Sequence, residues 1–119
     1  MLTIRPDQLQ TLSELMLKQF EDRMVTHLRA MYPDATQAKP EAELRRLIQE
    51  GIVRARGYQV KTENNVRRYL ECMVSYGTRF DSGPETAWAG KILRDAKLTG
   101  TQKMDRIANY EVFALKGGV

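Results

Sequence analysis

The chain is poor in the residues that build chemistry. It has one cysteine, Cys72, so no intramolecular disulfide can form, and the expectation is a reducing compartment or indifference to redox state. It has one histidine, His27. One His and one Cys cannot make a structural zinc site, and the acidic residues are too dispersed for a calcium loop. Glycine and proline are sparse and fall at putative helix ends, so there is no phosphate loop, dinucleotide-binding signature or serine-centred elbow. No apolar run approaches the roughly 18 residues that span a bilayer. The opening segment MLTIRPDQLQ lacks the basic end and apolar run of a secretory leader. These absences predict a cytoplasmic location, no catalytic residues, no cofactor, no metal and no membrane partner.

What is present is ordinary globular material. The apolar fraction of 42% and charged fraction of 29% argue against wholesale disorder. A length of 119 residues fits one domain with a single core. Lys and Arg exceed Asp and Glu by 19 − 15 = 4, a mild excess that steers acidic partners without the dense basic stripe of a nucleic-acid binder.

Apolar residues recur at helical spacing, and no segment alternates as a strand would, so the expected fold is an all-α bundle of about five helices with a long first one. The first helix is expected over Pro6 to Met31, with Leu9, Leu12, Met16, Phe20, Met24, Leu28 and Met31 along one stripe, and Pro33 ending it. At 1.5 Å per residue its 26 residues would run about 39 Å, so it must bend, break or project. Its uncovered stripe also offers a seam for a homodimer. A polar link, Asp34 to Lys39, leads to Pro40, which starts the second helix in the manner of Pro6. Gly51 within it marks close approach of another helix. Gly57 is expected to take the left-handed conformation past its end, with Tyr58 folding back on Val53. Thr62 caps the third helix and Gly77 stops it. A short helix runs from about Glu85 to Arg94. Thr99 and Gln102 have capping-box spacing and open a fifth helix that turns Met104, Ile107, Ala108, Val112 and Leu115 inward. The tail from Lys116 to Val119 is expected to fray.

The densest functional material is Val66 to Trp88, VRRYLECMVSYGTRFDSGPETAW. It sets an Arg pair and several aromatics beside Met73 and Cys72. Arg, Tyr and Trp are favoured at interface centres, so Arg67, Arg68, Tyr76, Phe80 and Trp88 are the candidate partner-binding residues. The competing reading is a solvated helical face, with Glu50–Arg54 and Glu63–Arg67 paired at four-residue spacing. His27 has no orienting partner at helical spacing. Cys72, between inward positions, reads as a packed small hydrophobe, although Arg68 lies four residues before it.

Five segments in order, MLTIRPDQLQTL, FEDRMVTHLRAMYP, GYQVKTENNVRRYLECMVSYGTRFD, AWAGKILRD and QKMDRI, resemble a family of small helical accessory proteins encoded among type VI secretion genes, beside effectors and their adaptor chaperones. The resemblance implies a co-chaperone that engages the adaptor chaperone and governs its hold on the effector, with no catalytic residues. The matching positions are Phe20, Glu21, Asp22, Arg23, Tyr58, Tyr69, Gly77, Phe80, Asp81, Trp88 and Ala89. The family pattern often has a further proline just ahead of the Trp, where this chain has Glu85, Thr86 and Ala87. Two other readings stand beside it. One is an immunity protein blocking a cognate toxin. The other is a regulator with a helix-turn-helix in the second and third helices, whose Gly57–Thr62 connection is slightly long for that motif.

Overall fold

The computed structural model of the chain describes residues 6–115, with side chains described for 14–114. It holds six α-helices: α1 (Pro6–Met31), α2 (Pro33–Thr36), α3 (Glu41–Gly57), α4 (Glu63–Tyr76), α5 (Ala87–Leu93) and α6 (Gly100–Tyr110). A 3-10 turn at Pro84–Thr86 leads into α5, and a π turn at Glu111–Leu115 continues α6. No strand occurs among the described residues. The all-α architecture expected from periodicity is the one that forms. The expected side chains of Leu9 and Leu12 and the tail from Lys116 lie outside the described residues.

α4 is the central element, packing on α1, α2, α3 and α6, while α5 lies against α6. Its Tyr69, Leu70 and Met73 are fully buried among Leu28, Leu44, Ile48, Phe80, Leu93, Met104 and Ile107. The close approach expected at Gly51 is there. A Cβ on Gly51 would sit 2.4 Å from Leu70 Cδ2 and 2.7 Å from Met73 Sδ, so α3 and α4 cross where α3 has no side chain.

α1 buries Phe20, Met24, Val25 and Leu28, but Met16 and Met31 are exposed. The stripe continues through Tyr32, not Met31, because the buried row advances in steps of four from Phe20. Upstream, Leu15 and Met16 are more than half exposed, which is the projection the helix length requires. Buried Glu21 accepts from Arg45 Nη1 at 2.6 Å and Gln49 Nε2 at 2.8 Å, and Arg45 also reaches Asp22 at 2.8 Å and Glu41 at 3.1 Å. Arg45 thereby fastens α1 to α3, and its hydrogen bond holds the Asp22 carboxyl below the usual range.

Three local expectations need correction. Pro33 ends α1 and also starts α2, since its fixed φ and missing N–H suit a first helical position. The expected polar link is thus partly helical. It is held by Thr36, whose hydroxyl donates to Tyr32 O at 2.8 Å, and by Arg29, which donates to Thr36 O at 3.0 Å and Lys39 O at 2.9 Å. Pro40 stands one residue before α3, its carbonyl accepting from Leu44 N at 3.1 Å. Gly57 stays within α3. The left-handed residue is Gln59, at φ 66°. Val60 N bonds Ala55 O at 2.9 Å and Gln59 N bonds Arg56 O at 3.0 Å, a complete Schellman ending two residues later than expected. Tyr58 turns to the core, and Val53 is left 71% exposed.

The ending is displaced because α6 holds it there. Lys103, buried, donates to Tyr58 O at 2.7 Å. A Cβ at Gly100 would lie 2.3 Å from Gln59 O. Gly77 does stop α4, at φ 105°. The Thr62 cap and the Thr99–Gln102 capping box form as expected.

Two substitutions probe this lock in opposite directions. Gln59→Gly should stabilise the protein by up to about 1 kcal/mol, because a side chain in the left-handed region costs that order of energy. Gly100→Ala should destabilise it by about 1–3 kcal/mol through forced backbone movement. Urea unfolding followed by circular dichroism reads both, and a neutral Gly100→Ala would show that the two segments do not meet.

Candidate functional site

The candidate residues divide into two groups. Arg67 and Arg68 lie in mid-α4, and both guanidinium groups are already engaged. Arg67 donates to Glu71 Oε2 at 2.9 Å and Asn64 Oδ1 at 2.7 Å. The same Glu71 oxygen lies 2.7 Å from His27 Nε2, so Glu71 ties α4 to α1. This gives His27 the partner that helical spacing could not supply, 44 residues away in sequence. Arg68 pairs with Asp105 at 2.9 Å and reaches Asn65 Oδ1 at 3.3 Å, tying α4 to α6. Glu63 bonds Arg23 at 2.7 Å and not Arg67, while the Glu50–Arg54 pair forms at 2.7 Å as expected.

Phe80 is not a surface residue. It is 1% exposed and packs on Tyr69 with ring centroids 4.9 Å apart. The turn after Gly77 points it inward, and the next residue anchors it. Buried Asp81 accepts from Tyr58 Oη at 2.8 Å and Arg54 Nη1 at 3.2 Å, and its backbone carbonyl accepts from Arg94 Nη1 at 2.9 Å. Arg54 Nη1 also donates to Thr78 O. The hydroxyl of Tyr69, fully buried beside this cluster, has no hydrogen-bond partner among the described residues.

Tyr76 and Trp88 do come together, and a residue outside the expected set completes them. The Trp88 indole stacks on Tyr110, with centroids 4.2 Å apart and planes 10° from parallel. Tyr76 meets Trp88 edge-on at 5.7 Å and 88°. The Tyr76 hydroxyl donates to Glu111 Oε2 at 2.5 Å, which fixes the end of α4 against the end of α6. Burial and the Glu111 carboxylate push the Tyr76 phenol well above its ordinary pKa. Beyond the stack, Val112 is 37% exposed and Phe113 68%.

The expectation that Val112 faces inward fails because the chain leaves α-helical geometry at Glu111. A π turn carries more residues per turn, which rotates the side chains after it. That change places Val112 and Phe113 outward beside Tyr110. No periodicity in the sequence marks it. Adjoining the stack is a shallow groove of about 390 Å³ lined by Tyr76, Gly77, Arg79, Gly83, Pro84 and Thr86 among others.

The resemblance motif can now be placed residue by residue. Phe20, Tyr69, Phe80 and Ala89 fill the core, and Glu21, Asp22, Arg23, Tyr58 and Asp81 make the polar ties between elements. Trp88 alone among its aromatics and charges lies in the surface stack. Among the described residues, no three His, Cys, Asp or Glu side chains cluster as a metal site, and no helix is long and apolar enough to cross a membrane. No protein-family model matches the chain. No curated protein and no solved structure matches it either.

Cys72 is buried, and that burial pushes its thiol up to about 12, with Glu111 and Glu71 adding to the shift. The thiolate is the reactive form, so native protein at pH 8 should resist iodoacetamide while urea-unfolded protein is alkylated within minutes. The raised pKa also sets a sign for stability. Unfolded Cys72 ionises near its ordinary value of 9.0. Its contribution is therefore full below that pH and lost as pH rises through about 12. Rapid alkylation of the folded protein would show an accessible thiol.

Proposed function

We propose that the protein is a non-catalytic accessory factor that binds the adaptor chaperone of a type VI secretion effector and controls effector loading. The observation that carries the binding class is the aromatic stack of Trp88 and Tyr110, braced by Tyr76 and continued by exposed Phe113. Large amphipathic side chains, rigidly held and partly open to solvent, are the composition of interface hot spots. The type VI context rests on the five ordered segments that resemble that family.

On this reading the binding face lies at the junction of α4, α5 and α6 and not at the mid-α4 arginines, whose guanidinium groups are engaged within the molecule. Arg68 acts there as a positioning residue, because its pair with Asp105 holds α6 in register with α4. The face works by covering a surface of the adaptor that otherwise holds the effector, and it is displaced when effector or spike competes better. Such competition needs only a moderate affinity and no turnover.

Co-expression with a type VI adaptor chaperone from the same genome tests this reading. The two proteins should co-elute at micromolar concentration. Phe113→Glu, which changes an exposed residue, should weaken the complex by about tenfold or more with helicity unchanged. Failure of the wild-type pair to co-elute would end the co-chaperone reading. Unchanged affinity of Phe113→Glu would remove the aromatic face from it.

A further inference from the structure

A second surface lies near the start of α4, at the other end of that helix from the aromatic stack, where α1 projects past the body of the bundle. Met16, Leu17 and Phe20 of α1, Ile52 of α3 and Val66 of α4 form the apolar walls and floor of a cleft of about 170 Å³. Arg56, Lys61 and Glu63 make its rim. The charges on that rim are not balanced. Glu63 is held by Arg23 at 2.7 Å, whereas Arg56 and Lys61 are exposed and pair with nothing among the described residues.

We infer that this cleft docks an amphipathic helix of a partner protein whose apolar face is flanked by acidic residues. Three features select that occupant. The walls are helices whose backbone groups are already bonded, so an extended segment would find no edge to pair with and recognition must use side-chain anchors. Exposed Met16 and half-buried Leu17 of α1 stand above a floor of buried Phe20, Ile52 and Val66, an apolar slot that side chains at three- and four-residue spacing on an incoming helix can enter. The two free cations favour carboxylates at the flanks of that helix. A second copy of this chain is disfavoured by the same charges. A two-fold interface sets a patch against itself, which would bring Arg56 and Lys61 near their own equivalents. The cleft shares no lining residue with the aromatic stack.

The test uses two hydrocarbon-stapled model helices of about four turns with the same leucine face, one flanked by Glu and its twin by Lys, titrated into isotopically labelled full-length protein at low salt. The Glu-flanked helix should bind at least about fivefold tighter than its twin. It should shift the amide resonances of residues 16–20, 52–56 and 61–66. Arg56→Glu with Lys61→Glu should invert the preference, while Phe113→Glu should leave it unchanged. Equal binding of the twins, binding of neither, or shifts confined to the Trp88 face would overturn the proposal. So would concentration-dependent dimerisation of the protein alone that Met16→Glu abolishes, since a second copy would then be the occupant. Loss of adaptor binding in Phe113→Glu with the Glu-helix preference intact would separate this site from the proposed co-chaperone face.

Discussion

The arrangement of this bundle depends on where the Asp81 carboxylate sits. It is 6% exposed, yet both of its oxygens are occupied, one by Tyr58 at the end of α3 and the other by Arg54. Its backbone carbonyl takes Arg94 from the end of α5, and a Cβ at Gly90 would approach that carbonyl to 2.5 Å. One residue in a turn thereby registers α3 and α5, although these helices are 30 residues apart in the chain between Gly57 and Ala87. Burying a charge is unfavourable unless it is paired and hydrogen-bonded, so the position is tolerated only while all of its partners are in place. Phe80 follows from the same constraint, because the turn that carries Asp81 inward carries its neighbour into the core.

The aromatic face is a consequence of that registration and of two clamps on α4. Arg54 and Arg94 around Asp81 fix α5, which places Trp88. Arg68–Asp105 and Tyr76–Glu111 fix α6, which places Tyr110. Arg67 and His27, meeting on Glu71, hold α1 on the other flank. Arg67 and Arg68 are thus spent within the molecule, and of the five candidate residues only Tyr76 and Trp88 meet in the aromatic stack. Arg56 and Lys61, without a partner among the described residues, distinguish a separate cleft.

Much of the architecture is legible in the sequence because it rests on local rules. Helical periodicity gives α1, α3, α4 and α6. Thr62 and the Thr99–Gln102 pair mark two starts, and Gly51 marks a crossing that only a bare backbone permits. The errors arise where a distant contact decides. Gln59 adopts the left-handed conformation expected of Gly57 because Gly100 and Lys103 press on the chain at that point. Glu63 turns to Arg23 and not to Arg67, since a cross-helix partner is nearer than the one four residues on. The π turn at Glu111 redirects Val112 and Phe113 with no compositional signal. Surface or core status of Phe80, Tyr76 and Trp88 is likewise undecidable from spacing, because Phe80 lies within, and Tyr76 and Trp88 flank, a connection whose direction is set by Asp81.

Asp81→Asn keeps the side chain's shape and removes its charge. Trp88, the only tryptophan, reports on α5 through its near-ultraviolet circular dichroism, while the far-ultraviolet signal reports on helix content. If the carboxylate holds α5 in register, this variant loses about 2–4 kcal/mol in urea unfolding, with the Trp88 signal weakened in native conditions while helicity persists. A variant as stable as the parent, with its Trp88 spectrum intact, would contradict the claim that this carboxylate holds the face in place.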